Sequence, residues 1–342
     1  MTTGFLKLFD NNQLPLVGWA PGKDVEKSLE AALRSGCRFI WTDYNNQDEI
    51  EVGRVLSRWF RENDLKRKNI FVSVKLPFIG NHHTRVQQFA RKSLENLRLG
   101  YVDLFLISAP VGFKYTNDNI CFPFKNNMID LDRQTDIISI WKAVERVADA
   151  GMTKSIGLCH FNERQLKIIV RNARVPPAVL QVECHAYFQQ RELQAFCNKY
   201  EIAIYSVFPA GYNNGNFCAK TLSTNLSQQD NLIPKFDPLI RKLGYRHDTN
   251  PYQILVAFLV QSNIGVVVSD TEASEIPTYS QVLNFQLKND ELEAIAELNK
   301  GSRGRTFNFR DLLPGFDTHP QHPFHDVFNL EFAILDFPRN WN

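Results

Sequence analysis

Eight short apolar runs, several rich in β-branched residues, alternate with longer segments whose apolar residues recur at helical spacing. The runs are Leu14–Trp19, Arg38–Thr42, Ile70–Leu76, Tyr101–Ile107, Ser155–Leu158, Ala178–Val182, Ile202–Val207 and Ile264–Val268. Between them lie amphipathic stretches such as Val25–Ser35, Glu49–Glu62, Thr84–Leu97, Ile137–Ala150, Glu163–Val170 and Arg191–Lys199, then Pro238–Leu243 and Pro251–Gln261. A strand that reads as a continuous apolar run is buried on both faces, which is the signature of parallel sheet. Eight of them with intervening helices fit a closed α/β structure, a (β/α)8 TIM barrel. An open doubly wound sheet competes. It would carry a glycine-rich turn after its first strand, and Gly18-Trp19-Ala20-Pro21-Gly22 is not that fingerprint.

Residues 1–342 therefore read as one barrel with long loops at the carboxyl ends of its strands. Three inserted segments stand out: Val111–Asp132, Tyr212–Asp230 and Gly301–Asn342, the last expected as a tail over the cleft. Lys plus Arg total 39 against 37 Asp plus Glu, a formal net charge of +2, which gives no electrostatic case for nucleic acid or anionic membrane. No apolar run reaches a membrane span, the amino terminus is too polar for a signal peptide, and the six cysteines form no Cys-x-x-Cys pair. The expectation is a cytoplasmic, monomeric protein whose partner is a small molecule or another protein. His319, His322 and His325 have metal-like spacing, but Pro320 and Pro323 forbid the helix that would align them, so no metal site is expected.

Several strings, in order from about residue 14 to 325, resemble the aldo-keto reductase family: Leu14-Pro15-Leu16-Val17-Gly18, Glu49-Ile50-Glu51-Val52-Gly53, Val74-Lys75-Leu76, Val102-Asp103-Leu104-Phe105-Leu106-Ile107, Ile156-Gly157-Leu158, Gln181-Val182-Glu183-Cys184-His185 and His322-Pro323-Phe324-His325. The resemblance implies a barrel in which a tyrosine protonates a carbonyl oxygen while reduced nicotinamide gives hydride. A lysine, an aspartate and a histidine assist. At the corresponding places this chain has Asn46 for the tyrosine, Trp41 for the aspartate and Ser108 for the histidine; Lys75 alone matches.

The cofactor places depart too. Gln181 matches a residue that holds the nicotinamide amide, whereas Cys159 and His160 replace a Ser-Asn pair and Val207 replaces a stacking tyrosine. Ser269 and Asp270 replace Lys-Ser, and Glu275 replaces an arginine, so two anions stand where a 2′-phosphate would bind. Like charges about 5 Å apart cost roughly 3 kcal/mol at an effective dielectric of 20. These substitutions carry the expectation of a pseudoenzyme kept for binding or structure. No cofactor is expected: NADP is disfavoured, and NAD is what an acidic site would take. The competing expectation is a divergent NAD(P)(H)-dependent oxidoreductase for aldehydes or ketones, with Tyr44 and Lys75 in displaced catalytic roles. Cys159, next to His160, is also a candidate nucleophile. Trp19, Trp41 and Phe208 are expected around the cleft mouth.

Overall fold

The computed structural model describes residues 4–22, 24–63, 65–212, 233–269, 283 and 286–324. Strands β1 (Val17–Ala20), β2 (Phe39–Trp41), β3 (Phe71–Leu76), β4 (Val102–Ile107), β5 (Thr153–Cys159), β6 (Val179–Glu183), β7 (Ala203–Val207) and β8 (Gly265–Ser269) form a closed barrel. Every barrel pairing is parallel; β8 closes onto β1 with Val268 opposite Trp19, and β4 meets β5 with Ser155 opposite Leu104.

Helices α1 (Val25–Arg34), α2 (Glu49–Glu62), α3 (Val86–Leu97), α4 (Ile137–Asp149), α5 (Glu163–Asn172), α6 (Arg191–Lys199), α7 (Pro238–Arg246), α8 (Pro251–Gln261) and α9 (Asn289–Ala296) pack outside the strands. Their starts are written locally. Asp24 and Asn162 cap α1 and α5 through side-chain oxygens, and Asn250 followed by Pro251 opens α8 with a cap and a ring already set at helical φ. Helix α8 is buried almost all round, so its sequence is apolar on every face.

The lumen is filled by side chains. A Cβ on Gly18 would stand 2.4 Å from the Phe39 ring, and one on Gly265 would stand 2.1 Å from the Tyr205 ring. These two glycines admit Phe39 and Tyr205, which meet edge to face at 5.4 Å. Alternation along each strand then sets the upper layer, with Ala20, Trp41, Lys75, Gly157, Cys159, Gln181 and Val207 turned inward. Trp19 falls on the opposite side of β1 from Gly18, toward the helices. It is fully buried there, so it belongs to the outer core and not to the cleft mouth.

Below, an antiparallel pair (Phe5–Lys7 with Gln13–Pro15) closes the amino-terminal end, tied by the Tyr205 hydroxyl donating to the Pro15 carbonyl at 2.8 Å. Above, residues 111–132 form two short hairpins, Gly112–Phe113 with Leu131–Asp132 and Phe124–Lys125 with Met128–Ile129. Most of the Tyr212–Asp230 insertion lies outside the described residues. No helix among the described residues is long and apolar enough to cross a membrane.

Candidate active site

Lys75 comes off β3 at the carboxyl end of the barrel and is buried. A buried ammonium needs compensation, and two neighbours from the end of β2 supply it. The Trp41 indole lies under Nζ at 4.4 Å from the ring centroid, close enough for its negative π face to hold the charge. Asp43, also buried, faces the same amine: burial raises its carboxyl above the ordinary range, and the Lys75 charge offsets only part of that rise. Trp41, standing where the family has an aspartate, has no charge with which to hold an ammonium. The ring does so without formal charge, and the displaced carboxylate sits two residues on. In extended chain residues i and i+2 share a face, so that signal was present in the sequence.

The Asp43 Oδ1 also accepts from the Asn45 backbone N–H (2.9 Å) and side-chain amide (2.7 Å), which shapes the single turn Tyr44–Asn46. Asn46 closes that turn through its backbone N–H to the Asp43 carbonyl. Tyr44 turns away. Its hydroxyl donates to the Asp118 carbonyl in the 111–132 segment at 3.3 Å, and its ring meets Phe89 edge-on. Burial, with Cys121 and Asp118 close by, raises the phenol above its usual value. The displaced-acid role expected for Tyr44 is therefore not what the geometry provides; Tyr44 pins a loop.

Ser108 donates to the Leu76 carbonyl at 2.5 Å, spending its hydroxyl on the backbone of the neighbouring strand. Cys159 ends β5 with its Sγ–H directed at the Gln181 Oε1, 3.3 Å away. Burial pushes this thiol up to about 12 against the pull of Lys75. A thiol so held is a poor nucleophile. His160 is also buried, and burial first and the Lys75 charge second keep its pKa well below the ordinary value. Val207 ends β7 in the lumen layer. Ser269 ends β8, its backbone in register with Ala20; Asp270 and Glu275 lie outside the described residues.

Two residues just past strand ends, His160 (φ 57°) and Phe208 (φ 59°), hold left-handed backbone that non-glycine side chains rarely adopt. Both support an aromatic cover contributed by the segment after Gly301. Phe307 stacks on His160 at 5.2 Å and contacts Phe208 at 5.1 Å, while Phe309 stacks on Phe316 at 4.3 Å and meets the edge of Phe78 at 6.1 Å. The sequence placed a tail over the cleft but did not say which rings would roof it, because Phe307 and Phe309 meet His160 and Phe78, each more than a hundred residues away in the chain. Glu183, at the end of β6, anchors the segment by accepting from the backbone and hydroxyl of Thr306 (2.7 and 2.5 Å) and from the Phe307 N–H at 3.2 Å.

The donor set decides what this place can hold. The Trp41 Nε1–H is buried and meets no acceptor among the described residues, and the ring it belongs to carries the Lys75 ammonium on its face. An unspent buried donor next to a buried cation is the complement of a ligand carrying carbonyl oxygens. A nicotinamide carboxamide and an aldehyde or ketone both answer that description, so the residues present fit the nicotinamide end of a dinucleotide.

Comparison with known proteins gives a consistent answer. A family model described as aldo/keto reductase family matches residues 17–300. The chain is 31% identical over 333 residues to aldo-keto reductase family 1 member D1 of Mus musculus, covering 94% of this chain and 97% of that protein. It is 30% identical over 317 residues to a probable NAD(P)H-dependent D-xylose reductase of Emericella nidulans, covering 89% and 96%. The aldose reductase structure from Schistosoma japonicum superposes with a TM-score of 0.82 at 28% identity, over 95% of this chain and all of that one.

These findings overturn two expectations. The pseudoenzyme reading rested on substitutions at the tetrad and cofactor positions, whereas relatives aligned along nearly the whole chain are reductases by name. The expectation of no cofactor falls with it, since one of those relatives is named as NAD(P)H-dependent.

Proposed function

Because the chain belongs to the aldo/keto reductase family, we propose that it is an NAD(P)(H)-dependent oxidoreductase interconverting an aldehyde or ketone with its alcohol. The observation that carries this reading is the buried Lys75 ammonium at the carboxyl end of β3, held by the Trp41 ring. Carbonyl reduction builds negative charge on oxygen, and a fixed cation in a water-poor site stabilises that charge far better than solvent does. Reduced nicotinamide supplies the hydride when bound. Gln181 is the residue placed to orient its carboxamide, and Trp41 and Lys75 are the donors for the substrate oxygen. Asp43 faces the same amine from the end of β2. Phe307 and Phe309 shield the oxygen from water, and their rings favour a carbonyl compound with an apolar or aromatic body.

The compartment proposed is the cytoplasm. Cys37, Cys121, Cys159, Cys184 and Cys197 are all free thiols, as a reducing environment keeps them.

The test is direct. Purified protein is mixed with NADPH or NADH and a panel of aliphatic and aromatic aldehydes, and nicotinamide oxidation is followed optically. Aldehyde-dependent oxidation with at least one dinucleotide is expected; none with either across the panel removes the reading.

A further inference from the structure

Reduction of a carbonyl needs a proton as well as a hydride, and the described residues at the mouth of the barrel leave few sources for it. The Tyr44 hydroxyl is committed to the Asp118 carbonyl. The Cys159 Sγ–H is committed to Gln181, and the Ser108 hydroxyl to Leu76. The His160 ring is packed between Phe307, stacked at 5.2 Å, and the edge of Phe309 at 5.1 Å. Asp43 is engaged with Asn45. Around the Trp41 face there remain the Lys75 ammonium, which also contacts the Cys159 sulfur, and the unspent Trp41 Nε1–H.

Resting on the proposed function, we infer that Lys75 is itself the proton donor of the reaction and that the Trp41 indole N–H anchors the substrate oxygen. With a bound reduced nicotinamide supplying hydride to the carbonyl carbon, the carbon–oxygen π pair would move onto an oxygen held by the Trp41 N–H and facing Lys75. An N–H bond of Nζ breaks, its proton passes to that oxygen, and the electron pair stays on nitrogen as a neutral amine. The amine is then reprotonated from solvent as product leaves, restoring the ammonium. An alkylammonium and a phenol have similar reference acidities, about 10.4 and 10, so the chemistry asks of lysine nothing that a tyrosine would do more easily. Trp41 has two separate duties: its face stabilises the charged form and its edge donates.

Four variants test this. Lys75→Met, close in volume, is expected to lower kcat by about 10²–10⁴-fold while dinucleotide affinity, read by quenching of tryptophan fluorescence, changes by no more than about threefold. Lys75→Ala is expected to regain turnover with added small alkylammonium ions, at rates that rise with the acidity of the amine. A lysine that only shaped the site would show no such dependence. Trp41→Phe keeps a ring face and loses the N–H, so KM for the aldehyde rises more than kcat falls. Tyr44→Phe keeps wild-type kcat. Wild-type-like turnover in Lys75→Met, rescue indifferent to amine acidity, or loss of turnover in Tyr44→Phe overturns the assignment while leaving the oxidoreductase reading intact. A wild-type protein inert toward every aldehyde with both dinucleotides sinks both.

Discussion

The His160 ring lies under Phe307 at the end of β5, and its neighbourhood offers a proton nowhere to be stabilised. Burial dominates the lowering of its pKa, with the nearby charges of Lys75 and Arg305 adding to it. In the unfolded chain the imidazole takes a proton near its ordinary value of about 6.5, whereas the folded protein takes it only at much lower pH. Between about 6.5 and that much lower pH the unfolded state binds more protons, so stability is full above about 6.5 and falls as the solution is acidified through this window, by at most about 1.4 kcal/mol per pH unit for one withheld proton. His160→Phe keeps a ring against Phe307 and removes the titration. Urea denaturation at pH 7.5 and 5 should show a smaller loss for the variant; an equal loss would mean that His160 is not the group responsible. Some slope persists because burial lowers His319 as well. The same scale shows why the site was half legible. Lys75 and Gln181 announced themselves by pattern. The roles of Trp41 and Asp43 depended on which way an indole face and a carboxylate turn, which spacing suggests but does not fix.

Strands and helices were legible for a different reason. Each carries its own period and caps, so the runs read from sequence fall within a few residues of the observed elements, as with Pro238–Leu243 against the full α7 of Pro238–Arg246. Connections between distant elements carry no such period. The Tyr44 hydroxyl reaches a carbonyl 74 positions away, and the Glu183 carboxylate collects N–H and hydroxyl donors from residues 123 and 124 positions away. Burial alone would raise Glu183; hydrogen bonding and charge from His185, then the charge of Arg305 and the Thr306 hydroxyl, outweigh it and hold the group ionised. A hydrogen bond to a buried charge contributes about 1.5–3 kcal/mol. Glu183→Gln leaves an acceptor in place but removes the charge and turns N–H groups toward other donors, so a loss of about 2–4 kcal/mol is expected. Amide exchange locates the effect: Thr306 and Phe307 should exchange faster in the variant than the amides of β6. Uniform change throughout the barrel would deny Glu183 its role as the anchor of that segment.

At the level of the molecule, the family model stops at residue 300, yet packing does not. Phe307, Phe309, Leu312, Leu313 and Phe316 belong to the same buried cluster as the barrel core. Phe309 is its hub above the strands. The ring stacks on Phe316 and Phe324, meets Phe307 edge-on at 4.8 Å, and reaches Phe78 beyond β3 and His160 beyond β5. Composition gives no hint of this arrangement. With 26 phenylalanines in 342 residues, sequence assigns them in bulk to a core without saying which of them roof the site. If the segment after residue 300 is part of the cooperative unit, truncating its hub costs what a core cavity costs. Phe309→Ala should then destabilise the whole protein by about 3–5 kcal/mol in a single unfolding transition. Tyr245→Ala, at an 88% exposed position on α7, should stay within about 0.5 kcal/mol of wild type. A detachable cover gives a different result: stability of the barrel unchanged in Phe309→Ala, with aldehyde KM alone altered. Measuring stability and KM in one variant separates the two, because only an integral segment couples the roof over Lys75 to the folding of the strands beneath it.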